Sequence, residues 1–194
     1  MPPLDSNQRR ALLALARRTV TEAARLRSLP DLTTEDPVGG PPAGAFVTLH
    51  AQGRLRGCIG RLSPGTSLAE TVVTCAAAAA LQDPRFPPVD SEEVHGIEIE
   101  ISILSAPEPA TLEGIRVGEH GLVVTRGGMR GLLLPQVGAE FRWPTQRFLE
   151  ETCRKAGLDR DAWKDPAARV EMFTAEVFSE REMRAEGHTA KQAS

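Results

Sequence analysis

Tyrosine is absent from this chain, and aromatic residues of any kind make up only 4% of its 194 positions. No stripe of aromatic and basic residues is present, and the formal net charge is −3. Both count against a nucleic-acid-associated regulatory protein, which is retained as the weakest reading. Cysteine is scarce as well: Cys58, Cys75 and Cys153 are odd in number and widely spaced. That excludes a disulfide framework. With no C-x-x-C pair and no tight cysteine triplet, neither a structural zinc site nor an iron–sulfur cluster is expected. His50, His95 and His188 show no mutual spacing that suggests a metal. No apolar run reaches the roughly 18–20 residues of a membrane span, the alanine-rich piece Cys75–Leu81 being far too short. Met1–Arg10 lacks the charged-then-apolar order of a secretory signal, so the cytoplasm is the default location. A glycine-rich phosphate loop, a serine-centred nucleophile elbow and a dinucleotide fingerprint are all missing, and no cofactor is expected.

What remains is an ordinary globular composition, 41% hydrophobic and 25% charged. The length suits one domain, or two small lobes sharing one core. Leu12, Ala16, Thr19, Ala23 and Leu26 recur at three- and four-residue steps and predict a helix over Ser6–Arg27, with Asp5 and Gln8 as a capping box. A surface loop rich in proline and glycine follows over Asp31–Gly44. Ala45–His50 and Arg54–Ile59 read as a hairpin closed at Gln52-Gly53. A helix of small residues is expected over Ser67–Gln82, and Asp83–Val89 (DPRFPPV) is too rich in proline for regular structure. Ile97–Leu104 (IEIEISIL) alternates cleanly, placing four isoleucines on one face and Glu98, Glu100 and Ser102 on the other. His120–Thr125 and Gly131–Pro135 form a second hairpin around Gly127-Gly128. Pro144–Ala156 is a helix and Val170–Phe178 a last strand. Helices and antiparallel hairpins mix without βαβ regularity, so the fold class is α+β.

The stretch GRLRGCIG, residues 53–60, is a poor strand-former that nevertheless carries chemistry. With period-two alternation, Arg54, Arg56 and Cys58 share one face. Nearby cations favour the thiolate, so Cys58 reads as a nucleophile, or as a thiol beside an anion site. Gly57 and Gly60 would leave the backbone open to a ligand. Against this stands a small buried hydrophobe in a tightly packed strand. Glu98 and Glu100 could work as acid and base, or pair with Arg54 and Arg56 across the sheet; the plainer reading is a solvated sheet face. His120, at a strand start, could orient a thiol or shuttle protons, or be a hydrogen-bonded surface residue. Asp83 and Arg85 sit on a stiff loop, as a pocket wall or as a charged helix stop. Cys75 and Cys153 read as core, and Trp143 and Trp163 as anchors of the last helix.

The ordered set GAFVTL (44–49), LRGCIG (55–60), DPRFPPV (83–89), EIEISIL (98–104), VGEHGLVV (117–124), GLLLPQV (131–137) and KAGL (155–158) resembles the AMMECR-type domain family. The resemblance runs from the first helix to about Glu180. It implies two lobes built on antiparallel β-sheets with packed helices, a single domain over residues 1–185 made of two intimately packed subdomains, and a frayed tail over 186–194. It also implies membership, as protein A, in the AmmeMemoRadiSam system, whose other components are a Memo-type protein and a radical S-adenosylmethionine enzyme. Leu55–Gly60 correspond to the family's signature, while Arg54 lies outside it. The expected role is capture of an anionic small molecule or protein segment in a cleft lined by the LRGCIG strand. Arg56, Gly57, Gly60, Arg54, Asp83, Arg85 and Glu98 would contact it. The alternative is a cysteine-dependent enzyme using Cys58, with His120 or Glu100 as base.

Overall fold

The computed structural model describes residues 3–28, 39, 42–62, 65 and 67–185. Most of the expected 31–44 loop, and the whole of the expected 186–194 tail, lie outside those residues. The chain divides into two compact units. The first comprises Met1–Ile103 with Glu176–Ser194, and the second Leu104–Ala175.

In the first unit, α1 (Ser6–Leu26) starts at the predicted cap. Asp5 Oδ1 accepts the N–H groups of Asn7 and Gln8 at 2.8 Å, and the Gln8 side chain accepts the Asp5 N–H at 3.0 Å. Its stripe of Leu12, Ala16, Thr19, Val20 and Ala23 is fully buried. Strands β1 (Gly44–Ala51) and β2 (Arg54–Arg61) form an antiparallel hairpin. Gln52 (φ 52°) and Gly53 (φ 74°) both take positive φ, which matches the right-handed twist of the two strands. Helix α2 (Leu68–Leu81) is capped by Ser67, whose Oγ accepts the Glu70 N–H at 3.1 Å. Then come the Asp83–Val89 loop, a 3₁₀ turn over Glu93–Gly96 that the sequence pattern does not foretell, and β3 (Ile97–Leu104).

The strand order here is β2-β1-β3. Ile97, Ile99, Ile101 and Ile103 join Val47, Leu49 and the apolar faces of α1 and α2 in one core. Each fully buried side chain of this size contributes about 1.5–3 kcal/mol to the driving force. The predicted solvated face of β3 is only partly wet: Glu98 and Glu100 are half-buried and Ser102 is buried.

In the second unit, β4 (Glu108–Pro109), β5 (His120–Arg126), β6 (Met129–Leu133) and β7 (Arg169–Ser179, whose last residues belong to the first unit) form an antiparallel arrangement. β5 lies between β6 and β7, and β4 pairs with β7. β6 ends two residues earlier than expected because Pro135 opens a short helix, α3 (Pro135–Glu140), that the sequence reading missed. Helix α4 (Thr145–Lys155) follows the prediction closely, stopping before Gly157 (φ 74°). Its Phe148 and Leu149 pack with Ile115 and Leu122, and Trp143 and Trp163 lie against that cluster. Cys75 and Cys153 are buried, as expected of core cysteines. No described helix is long and apolar enough to cross a membrane.

Candidate functional site

The alternation expected along β2 breaks at Arg56. Leu49 pairs with Gly57, and the next residue, His50, pairs with Leu55, so Arg56 is an extra residue in a β-bulge. This corrects the expected common face. Arg54 lies beyond the bulge, exposed and opposite Ala51, and the alternation linking it to Arg56 and Cys58 is interrupted. Cys58 stays in register with Thr48, whose hydroxyl donates to its Sγ at 3.3 Å.

Both glycines are closely packed on the side a Cβ would occupy. A Cβ on Gly57 would meet the Ala79 carbonyl oxygen at 2.3 Å, and one on Gly60 would strike the Phe46 ring at 2.2 Å. The small residues of α2 and the missing side chain at Gly57 together bring strand and helix backbones into direct contact. On the side a Cβ would occupy, the space beside these two glycines is filled by the protein itself.

The DPRFPPV loop folds over the outer side of β2. The Cys58 N–H donates to Asp83 Oδ2 at 2.8 Å, and the Arg85 guanidinium donates to the Cys58 carbonyl at 3.3 Å. Arg85 also donates to Asp83 through its main-chain N–H, Nε and Nη2. Asp83 is only 4% exposed, and these bonds offset the cost of burying its charge. The Arg85 bond first, then the Cys58 N–H, hold its carboxyl well below the usual carboxylate range. Arg85 in turn is held more firmly protonated, chiefly by Asp83 and to a smaller extent by the Cys58 thiol. Its side chain nevertheless remains 53% exposed. Phe86 carries both guanidinium groups near its ring, Arg85 at 5.6 Å and Arg56 at 5.9 Å.

Arg56 is committed elsewhere. It grips Glu93 with two nitrogens, at 2.5 and 3.1 Å, and donates to the Pro87 carbonyl at 3.0 Å. The Glu93 carboxyl is lowered chiefly by this contact. Arg56 therefore fastens β2 to the 3₁₀ turn, its charge already matched.

The proposed pairing of Glu98 and Glu100 with Arg54 and Arg56 is not formed, since β1 lies between their strands. Glu98 takes an ion pair from Arg184 at 3.0 Å. Burial pushes the Glu100 carboxyl up, an effect His50 opposes and Glu182 and Glu98 reinforce. His120 belongs to the second unit, whereas Cys58 belongs to the first. Its Nδ1 accepts the Arg116 N–H at 3.0 Å.

Sequence reasoning missed a cavity of about 840 Å³ in the first unit, bordered by Arg17, His50, His95, Glu98, Glu180 and Arg184 among others. His50 and His95 lie far apart in the chain, so no spacing rule could join them. The 3₁₀ turn that brings His95 to the cavity is tied at Glu93 by Arg56 and at the Val94 carbonyl by Arg17 Nη1, 3.0 Å. Among the described residues, no group of three histidine, cysteine or acidic side chains could hold a metal ion.

These features define an α+β protein with a thiol and a guanidinium at an outer strand and a separate polar cavity. The chain belongs to the AMMECR1 family, whose model matches residues 13–178. It is 44% identical over 188 residues to a protein of Methanothermobacter thermautotrophicus, covering 92% of this chain and 97% of that one. It is 43% identical over 183 residues to protein Mbar_A1807 of Methanosarcina barkeri, covering 89% and 90%. The crystal structure of the uncharacterized protein PH0010 from Pyrococcus horikoshii superposes with a TM-score of 0.78 at 40% identity, covering 88% of this chain and 90% of that one.

Proposed function

We propose that this chain is the binding component of a three-part modification system, working with a Memo-type protein and a radical S-adenosylmethionine enzyme in the cytoplasm. In this reading it captures an anionic group, on a small molecule or a protein segment, at the corner where the LRGCIG strand meets the DPRFPPV loop. It does so within a single domain of two subdomains. The partners come from the family resemblance. The observation that supports the site is Arg85, half exposed yet held by buried Asp83 against half-buried Cys58. A guanidinium fixed in this way loses little side-chain entropy on binding a carboxylate or phosphate. Arg56 contributes by holding the strand in place rather than by meeting the ligand.

The second reading is thiol chemistry at Cys58, favoured by the Thr48 hydroxyl at 3.3 Å and the adjacent Arg85. The test mixes the chain with the Memo-type and radical enzymes of the same genome and follows complex formation by analytical ultracentrifugation. Arg85→Gln is expected to weaken the complex about tenfold, as loss of a charge-assisted contact of roughly 1.5 kcal/mol would. Arg85→Lys should retain more of it, and melting temperatures recorded alongside separate lost binding from lost fold. Cys58→Ser should leave binding intact. Wild-type affinity in folded Arg85→Gln sinks the binding reading. Abolished turnover by a Cys58→Ser protein that still binds establishes the second.

A further inference from the structure

In the second unit, β6 pairs with β5 on one side and ends the strand order. In an antiparallel pair every second residue turns its N–H and C=O away from the neighbouring strand. Among the described residues, no hydrogen bond reaches those outward groups of Met129–Leu133. The outer edge of β2, by contrast, is occupied at Cys58 by Asp83 and Arg85. β6 also lies tight against the end of α4, since a Cβ on Gly131 would run into the Ala156 nitrogen. Alternation puts Met129 and Leu133 on that same face. There Leu133 and Trp143 line an open cleft of about 300 Å³ together with Glu151, Arg154 and Lys155 of α4. Phe141 stacks on Trp143 with ring centroids 4.9 Å apart and is 58% exposed, and Met129 is 46% exposed. Apolar side chains thus stand open beside a bare strand edge.

The rim of this cleft carries surplus positive charge. Its carboxylate, Glu151, is held by Arg147 at 2.6 Å and shared with Arg154 at 3.4 Å and Arg160 at 3.6 Å. Glu150 lies 3.6 Å from Arg147 and 3.8 Å from Arg160. The Lys155 ammonium has no partner among the described residues. Arg147, Arg154, Arg160 and Lys155 therefore stand against Glu150 and Glu151 alone in this cluster. The last carbonyls of α4 do not offset this, because the N–H groups of Ala156, Gly157 and Leu158 already occupy those of Thr152, Arg154 and Cys153. From this combination we infer that the groove between β6 and α4 takes an extended, acidic segment of a partner protein, added as a strand to β6. An apolar side chain of that segment fills the cleft, and an acidic one two residues away, on the same face, meets Lys155 and Arg154. Main-chain bonds supply affinity, and the cleft and rim supply selectivity. A second copy of this chain suits the groove poorly, because exposed Arg130 and the same cationic rim would face their own likeness. A small molecule would leave the strand edge unpaired.

The test uses acetylated, amidated pentapeptides, matched to the five residues of β6. Their sequences are Thr-Leu-Thr-Glu-Thr, Thr-Phe-Thr-Glu-Thr and the two reversed orders, with lysine in place of glutamate as controls. Each is titrated to millimolar concentration into the ¹⁵N-labelled full chain, and amide shifts and hydrogen exchange are read by NMR. At least one glutamate peptide is expected to give saturating shifts over residues 129–133 and 151–155. In that complex the alternate, outward-facing amides of β6 should exchange more slowly. The matching lysine peptide should bind about tenfold more weakly. Lys155→Glu, at an exposed position, should narrow or reverse that preference, with its melting temperature recorded alongside. No saturating shift with any glutamate peptide, equal binding of the lysine peptides, or unchanged exchange along β6 in the saturated complex would each overturn the inference. So would an unchanged preference in folded Lys155→Glu. Concentration-dependent self-association that protects β6 without peptide would give the edge to a second copy and overturn it as well.

Discussion

Replacing Gly57 with alanine distinguishes a strand that keeps its glycine for packing from one that keeps it for a ligand. The added Cβ would stand 2.3 Å from the Ala79 carbonyl oxygen, with the Leu49 side chain 3.6 Å away on the same side. The atom it meets is helix backbone, so no side-chain rotation relieves the clash. Strand β2 and helix α2 must part, and the core between them loosens. Overpacking of this kind costs about 1–3 kcal/mol. Alanine also reduces the freedom of the unfolded chain, a gain of about 0.4–1 kcal/mol that offsets part of the loss. The net effect is about 1–2 kcal/mol, which for a chain of this length lowers the melting temperature by roughly 2–8 °C. Gly96→Ala is the matched control: its Cβ enters open space, and it should melt within about 2 °C of wild type. Differential scanning calorimetry on both variants gives the answer. If Gly57→Ala melts with the wild type, the close approach is not what requires glycine, and the ligand-access explanation returns.

Three further outcomes follow from the burial of charge and thiols. Iodoacetamide at pH 7–8, followed by peptide mass spectrometry, should label half-buried Cys58 well ahead of Cys75 and Cys153, whose thiols burial pushes up, that of Cys75 to about 11. Equal labelling of all three would mean that the helices open faster than the reagent reacts. The buried Cys75 thiol also makes folding favour the protonated form, so its share of stability is present below the unfolded pKa and is lost as pH rises from about 9 toward 11. Asp83 has the opposite sign. Its carboxyl is lowered in the folded state, so its contribution is full above the ordinary carboxylate range and declines as pH falls through and below it. Asp83→Ala should cost about 1–3 kcal/mol at pH 7, because the Cys58 N–H loses its acceptor while the half-exposed Arg85 charge is left to solvent. That deficit should shrink in acid; a deficit independent of pH would assign the loss to packing alone.

The parts legible in the sequence were those that follow a single period or a single cap. IEIEISIL announces its buried face because every second residue is isoleucine, and Asp5 with Gln8 announces a helix start. The bulge at Arg56 was hidden, because an extra residue in one strand is fixed by its pairing with the other and leaves no mark on its own strand. Helix α3 was hidden behind a proline and a glycine that read as loop punctuation. LRGCIG drew attention to this strand but not to what packs against its glycines, since Ala79 and Phe46 meet it only in three dimensions. The His50–His95 cavity was beyond reach for the same reason: a hairpin and a 3₁₀ turn supply its walls, and two arginines hold that turn in place.

The bonds from Asp83 and Arg85 to the main chain of Cys58 have a consequence for how this protein meets others. β2 is the outermost strand of its sheet, and the N–H and C=O of Cys58 point away from β1. Left bare, such a border recruits the strand of any neighbouring chain. Here a carboxylate and a guanidinium from a proline-stiffened loop occupy those valences as a foreign strand would. At Cys58 the border is closed to strand addition, and a partner arriving at this point meets side chains instead. Loss of Asp83 would therefore expose an adhesive rim, and self-association in that variant would be a trace of what the loop holds in check.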